Sequence, residues 1–254
     1  MKFPSAYTSK SRTPAAVVTA NDVLPLQVPT EAPTDLAEMP GYLDRIDTSW
    51  LPFAAKTYHI SPRLADYVVA TIPLCPSDLP NRNGVAFPIA ELVKYQPPPM
   101  NRQVFKAWAG CPCHLEHDNE DCTKAVGVIF DTSLRQIKNY GDGKHWAVMG
   151  LVGIDKLKCP ELAQRFLTHQ INTGSMGAMA DSFTCAVCGA EASENHFTNC
   201  PHITSTKDVN WSLVDHMGVK KIAYLNAHEL SPIEYSWVAD PAWVSCLSEV
   251  ILKE

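Results

Sequence analysis

Four side chains able to bind a metal fall in one short stretch, Cys185-Ala-Val-Cys188-Gly189 followed by Cys200-Pro201-His202. A C-x-x-C pair closed by glycine makes a tight turn whose thiolates converge on one point. The second pair completes a tetrahedral nitrogen and sulfur set of the kind zinc takes. Such a site can hold together a segment too short to bury a core of its own, so a metal-stapled insertion is expected at residues 185–202, with reduced free cysteines or a redox pair as the alternative. With all four positions filled by protein there is no place for a catalytic water, and the zinc is expected to be structural. Cys200 and His202 are close in sequence, and His196 competes with His202 as fourth ligand. The nine cysteines are odd in number and clustered, and no continuous apolar run follows Lys2, Lys10 and Arg12. A secretion signal is therefore not expected, and clustered thiols then favour metal over a disulfide framework.

Elsewhere composition mainly excludes. The formal charge of −6 argues against a general nucleic-acid binder, and no Lys or Arg lies between Cys185 and His202 to meet phosphates. A zinc-ribbon nucleic-acid module is thus disfavoured, and no apolar run approaches a membrane span. Residues 1–57 read as a proline-rich arm or pro-segment, with Pro25, Pro29 and Pro33 breaking any helix or central strand. Residues 58–254 read as the main domain, its first ordered element at 58–73 and a stiff linker at Pro97-Pro98-Pro99. Strands are expected at 104–109, 125–131, 146–154, 219–224 and 233–238. A helix is expected over 161–168 behind Pro160, and a closing helix over 243–252.

Ser175 stands between glycines in Asn172-Thr173-Gly174-Ser175-Met176-Gly177. There the backbone can approach a substrate carbonyl and a neighbouring amide can serve an oxyanion. A serine nucleophile needs a base, and spacing alone does not choose among nine histidines. Cys111, Cys113, His114, His117 and Cys122 form an irregular donor set, read here as a strand edge carrying one functional histidine rather than as a second metal site. Asp155, at a strand end, reads as a turn carboxylate that also competes for an orienting role. His228 shows no pairing pattern.

Three segments read together resemble tailed-phage prohead maturation proteases. Residues 114–131 (HLEHDNEDCTKAVGVIFD) resemble the catalytic-histidine segment, residues 174–202 the serine segment of a branch carrying C-x-x-C-G and Cys-x-His, and residues 233–242 (IEYSWVADPA) the late E-x-S-x-V-x-x-P-A strand. The resemblance implies an α+β fold like the herpesvirus assembly protease, a mostly antiparallel β-barrel with flanking helices, here with an inserted zinc knuckle. It implies a serine endopeptidase with Ser175 as nucleophile, His117 as general base and Glu234 as the group orienting it. His114 remains the competing base and Asp155 the competing orienter. The partners implied are capsid and scaffold proteins as substrates, while the oligomeric state, a homo-oligomer among the options, is left open by the sequence. Self-cleavage is implied after Leu36-Ala37-Glu38 or Leu247-Ser248-Glu249. The location implied is the procapsid interior, reached from the host cytoplasm. A second expectation from another class is a catalytically inactive, zinc-containing capsid or scaffold-binding protein.

Overall fold

The computed structural model describes residues 46–137, 145–193, 196–197, 200–203, 213–243 and 250–252, with side chains left aside at 192–193, 196–197, 213–215 and 250–252. The proposed cleavage sites near Glu38 and Glu249 lie outside the described residues, as does most of the proline-rich arm.

The chain is α+β and mostly strand. The first helix, α1 (Leu51–Tyr58), has proline in its first turn and ends at His59 in the left-handed conformation. It falls inside the segment expected to be an arm, yet Leu51 and Ala55 pack with Ile60, Tyr67, Val69, Val128, Phe130 and Leu151. The packed part of the chain therefore includes α1, which starts seven residues before the expected boundary at residue 58. The physical reason is burial: Leu51 alone, 1% exposed, gains roughly 1.5–3 kcal/mol from leaving water. Tyr67 meets Phe130 edge to face, with ring centroids 5.1 Å apart.

Strand β1 (Tyr67–Pro76) follows, then β2 (Val85–Ala86), the short helix α2 (Ile89–Leu92), β3 (Pro112–Leu115), β4 (Gly127–Gln136) and β5 (Trp146–Asp155). After helix α3 (Pro160–Leu167) come β6 (Gly174–Cys185), β7 (Glu191–Ser193), β8 (His196–Phe197), β9 (Leu213–His216), β10 (Val219–Ile222), β11 (Leu225–Trp237) and β12 (Val250–Leu252). One sheet runs β12-β1-β5-β4-β3-β11-β6-β7-β8, with β2 beside β11, while β9 and β10 form a separate hairpin. All neighbours are antiparallel except β3 and β2, which run parallel to β11. The sheet curls into a half-barrel: the end of β1 (Leu74–Pro76) and the start of β6 (Gly174–Met176) line one pocket although they are far apart in strand order.

Every residue of β1 and β5 is buried, as expected of apolar, β-branched strands covered on both faces. Pro73 is accommodated at a register shift, where a missing N–H does least damage. Helix α3 buries Leu162, Ala163 and Phe166, and Phe166 packs on Trp237 of β11 at 4.7 Å between centroids.

Two expectations are corrected. Residues Val104–Trp108 form a 3-10 helix, because Val104, Phe105, Ala107 and Trp108 are buried at helical rather than alternating spacing. Gly174 opens strand β6, to which the sequence reading assigns no element. The closing segment contributes β12, which pairs with β1 at Val69–Thr71, where a closing helix was expected.

Gly127 marks a close approach between β4 and β5, since a Cβ there would sit 1.8 Å from the Gly153 carbonyl oxygen. Backbone cannot step aside as a side chain can. Gly127→Ala is expected to lower stability by about 3 kcal/mol, the upper range for overpacking. A urea midpoint that falls at unchanged slope would verify it.

Candidate active site and metal centre

Strand β3 ends in a turn in which Glu116 (φ 48°) and His117 (φ 58°) are both left-handed. Two consecutive side-chain-bearing residues there are costly and persist only when the surroundings hold them. The clamp comes from β11. Glu116 N donates to Trp237 O at 3.0 Å, His117 N to Ser236 Oγ at 3.2 Å, and Ala239 N to Glu116 Oε1 at 3.1 Å. Asp118 N closes the turn on Leu115 O at 2.9 Å.

So held, the half-exposed ring of His117 places Nδ1 2.7 Å from Glu234 Oε1. Glu234 is fully buried, and its Oε2 accepts from Ser236 Oγ at 2.5 Å. The hydrogen bond to Glu234 raises the His117 pKa, against the opposing effect of partial burial. The competing base, His114, has no carboxylate hydrogen-bond partner among the described residues. It is 1% exposed, and burial lowers its pKa. The competing orienter, Asp155, is occupied elsewhere. Its carboxylate accepts from the amides of Ser61 at 2.7 Å, Leu157 at 2.8 Å and Lys158 at 3.1 Å, closing the turn after β5.

Ser175 is set on the same face as this group by sheet register. It pairs with Ser236, and Gly177 pairs with Glu234. Cross-strand partners share a face with Cβ atoms about 4.5–5.5 Å apart, so Ser175, Ser236 and Glu234 lie on one side of the sheet. His114, paired with Ser236 from β3, continues the row. This alignment depends on a bulge. The register between β11 and β6 shifts between Pro232 and Glu234, leaving Ile233 as an extra residue. In unbroken register Glu234 would face Met176 and point to the opposite side, because a one-residue slip exchanges faces. Bulges recur beside active sites for this effect. The flanking glycines have packing roles. A Cβ on Gly177 would meet Glu234 Oε1 at 2.6 Å, and one on Gly174 would strike the Tyr235 hydroxyl. Ser175 is 8% exposed and borders a small, mostly apolar pocket with Leu74, Asn81, Phe87 and Met176.

The second centre lies where β6 ends. The ligand atoms of Cys185, Cys188, Cys200 and His202 all fall within 4.8 Å of one another. Cys188 Sγ and Cys200 Sγ are 3.5 Å apart, and His202 Nδ1 lies 3.6 Å from Cys200 Sγ and 3.8 Å from Cys185 Sγ. A tetrahedron with metal–sulfur bonds of about 2.3 Å and metal–nitrogen bonds of about 2.0–2.1 Å has edges of about 3.6–3.8 Å. These three separations are close to tetrahedral edges, and the cluster is compatible with a structural metal. Val187 N donates to Cys185 Sγ at 3.4 Å, and Cys185, Val187, Ile203, Ala223 and Leu225 form a small core beneath the site. His196 opens β8, and its side chain lies outside the described residues. In the other cysteine group, Cys111 and Cys122 donate to the carbonyls of Ala107 and Thr57, and among the described residues donors converge only at the Cys185 group.

The sequence reading missed two features. Ser236 was seen only as part of a strand pattern, although a serine two residues after a glutamate on a strand shares its face. His228 bonds Thr184 Oγ1 at 2.7 Å and Glu91 Oε1 at 3.3 Å, fastening α2 to β11 and β6. No local signal links Glu91 to His228. No helix among the described residues is long and apolar enough to cross a membrane. No family model, curated protein or solved structure matches the chain.

The Glu234 contact sets an expected titration. His117 should titrate above its ordinary 6.5, and Glu234→Gln should bring it back down by removing the charged acceptor. A raised histidine pKa stabilises the fold at pH below the unfolded value and loses that effect as pH climbs through the folded value. NMR titration of the His117 ring in both proteins reads the difference directly.

Proposed function

We propose that the chain is a serine endopeptidase of the tailed-phage prohead maturation type, cleaving scaffold and capsid proteins inside the procapsid. The observation that carries it is the 2.7 Å contact between His117 Nδ1 and the buried Glu234, on the sheet face that Ser175 shares. Register sets Ser175 on the sheet face of Glu234, whose carboxylate meets the His117 ring, and this supports reading the three as nucleophile, orienter and base.

In this reading Glu234 accepts the Nδ1 hydrogen of His117 and leaves the Nε2 lone pair free. Nε2 takes the Ser175 proton as Oγ attacks the scissile carbonyl carbon. Backbone amides near Ser175 to Gly177 stabilise the oxyanion. The tetrahedral adduct collapses as Nε2 returns the proton to the leaving amine, which breaks the C–N bond. Water, activated by the same nitrogen, then releases the acyl group and restores Ser175. Catalysis needs neutral His117, so the raised pKa moves the acid limb of the pH profile upward.

The metal at Cys185, Cys188, Cys200 and His202 is zinc in this reading, since three thiols and one imidazole suit its preferences. Its role is structural: the ligand set is complete, and it ties the segment after β6 to the strand carrying Ser175.

Ser175→Ala should abolish cleavage of capsid and scaffold substrates, and Glu234→Gln should reduce kcat by about 10³–10⁴-fold. A fluorophosphonate probe should label the wild type at Ser175 by peptide mapping. Absence of both labelling and cleavage would leave a zinc-containing capsid or scaffold-binding protein. Elemental analysis should give one zinc per chain, and chelation should raise proteolytic susceptibility first between residues 185 and 203.

A further inference from the structure

Ser236 is fully buried and touches both halves of the His117–Glu234 pair. A serine hydroxyl has one hydrogen to give and lone pairs to receive. His117 N–H is a donor without alternative, so at 3.2 Å Ser236 Oγ must accept from it. Its single hydrogen is then committed to Glu234 Oε2 at 2.5 Å. The direction of both bonds follows from one backbone amide. With Oε2 receiving the hydroxyl hydrogen, the carboxylate cannot rotate without breaking that bond, and Oε1 is left facing Nδ1. The same hydroxyl also holds a backbone N–H in the left-handed turn that carries His117.

We propose that Ser236 is the positioning residue of this site, one hydroxyl that fixes the Glu234 carboxylate and the His117 turn together and so selects the tautomer with hydrogen on Nδ1 and a free lone pair on Nε2. The inference deepens the protease reading, on which its kinetic consequences rest, while the geometry of the pair stands without it. Three roles converge on a side chain that need not touch substrate. It orients the acceptor, anchors the base's backbone and fills the space between Ser175 and His114 in the row across β6, β11 and β3.

The test compares Ser236→Ala, Ser236→Cys and Ser236→Thr in the full chain. Alanine removes the hydroxyl, cysteine keeps a similar volume with a weak donor, and threonine restores the hydroxyl. Two readouts are taken: kcat and KM on a peptide spanning a capsid cleavage site, and the tautomer and pKa of His117 by ¹⁵N NMR. Thermal melting checks that each variant folds. In Ser236→Ala and Ser236→Cys, kcat should fall by about 10–100-fold, the scale for outer partners that orient a histidine, with KM within about twofold and partial recovery in Ser236→Thr. Loss of Nδ1–H tautomer population and a His117 pKa shifted toward 6.5 should accompany the fall in both. If the variants fold and both tautomer and pKa match the wild type, Ser236 is merely a packed residue and the proposal is overturned. Should wild type prove devoid of peptidase activity, the protease reading fails, and the NMR arm alone decides whether Ser236 sets the geometry of the pair. Should alanine not fold, the cysteine variant carries the same comparison.

Discussion

The candidate site depends on the pairing of β11 with β6 and on the single extra residue that interrupts it. Ile233 is accommodated as a bulge, and beyond it every side chain of β11 changes sides relative to β6. Glu234 and Ser236 thereby join Ser175 on one face, while Tyr235 and Trp237 turn to the other, where Trp237 packs against Phe166 of α3. The bulge thus serves the core and the polar site at once. Bulky rings go where a helix can cover them, and a carboxylate goes where a histidine can reach it. Pro232, which has no N–H to contribute to a ladder, sits where the regular pairing ends.

A fully buried carboxylate is costly unless its oxygens are satisfied. Here Oε1 meets His117 and Oε2 meets Ser236, and Gly177 on the neighbouring strand leaves the space that a Cβ would occupy. The left-handed turn at Glu116 and His117 is the strained partner in this arrangement, held by Trp237 O, Ser236 Oγ and the amide of Ala239. Two adjoining pieces of chain, the end of β3 and the end of β11, therefore fix each other. Parallel pairing of Tyr235–Trp237 with Cys113–Leu115 lays them side by side, although they are more than a hundred residues apart.

The metal centre obeys a more local logic. Cys185 is the last residue of β6 and pairs with Leu225, so one ligand is anchored in the main sheet. Cys188 follows through a turn closed by Gly189, whose φ of 72° suits glycine, and Cys200 and His202 return to meet them. His216, from the β9–β10 hairpin, packs edge-on against His202 at 5.2 Å between centroids. A small core beneath, rather than the main one, carries this region. That is why a metal is so natural a staple for it.

Much of this was legible in the chain itself. Strands β4 and β5 and helix α3 follow from apolar runs and a proline near a helix start, signals carried by neighbouring residues. Cys185, Cys188 and Cys200 could be read from spacing because they lie in one short stretch, while His202 as the fourth member came from the structure. The 3-10 helix at Val104–Trp108 was misread as a strand and the strand beginning at Gly174 was not foreseen, since burial of whole segments and a tyrosine and a glutamate from β11 decided them. Local chemistry therefore determined the metal-ligand cluster and the main secondary structure. Only the tertiary structure decided that the carboxylate of Glu234 meets His117 rather than His114, that Asp155 closes a turn, and that Ser236 stands between them. Face and register are properties of paired strands, and a single bulged residue in one of them leaves hardly a trace in the sequence while reversing every contact that follows.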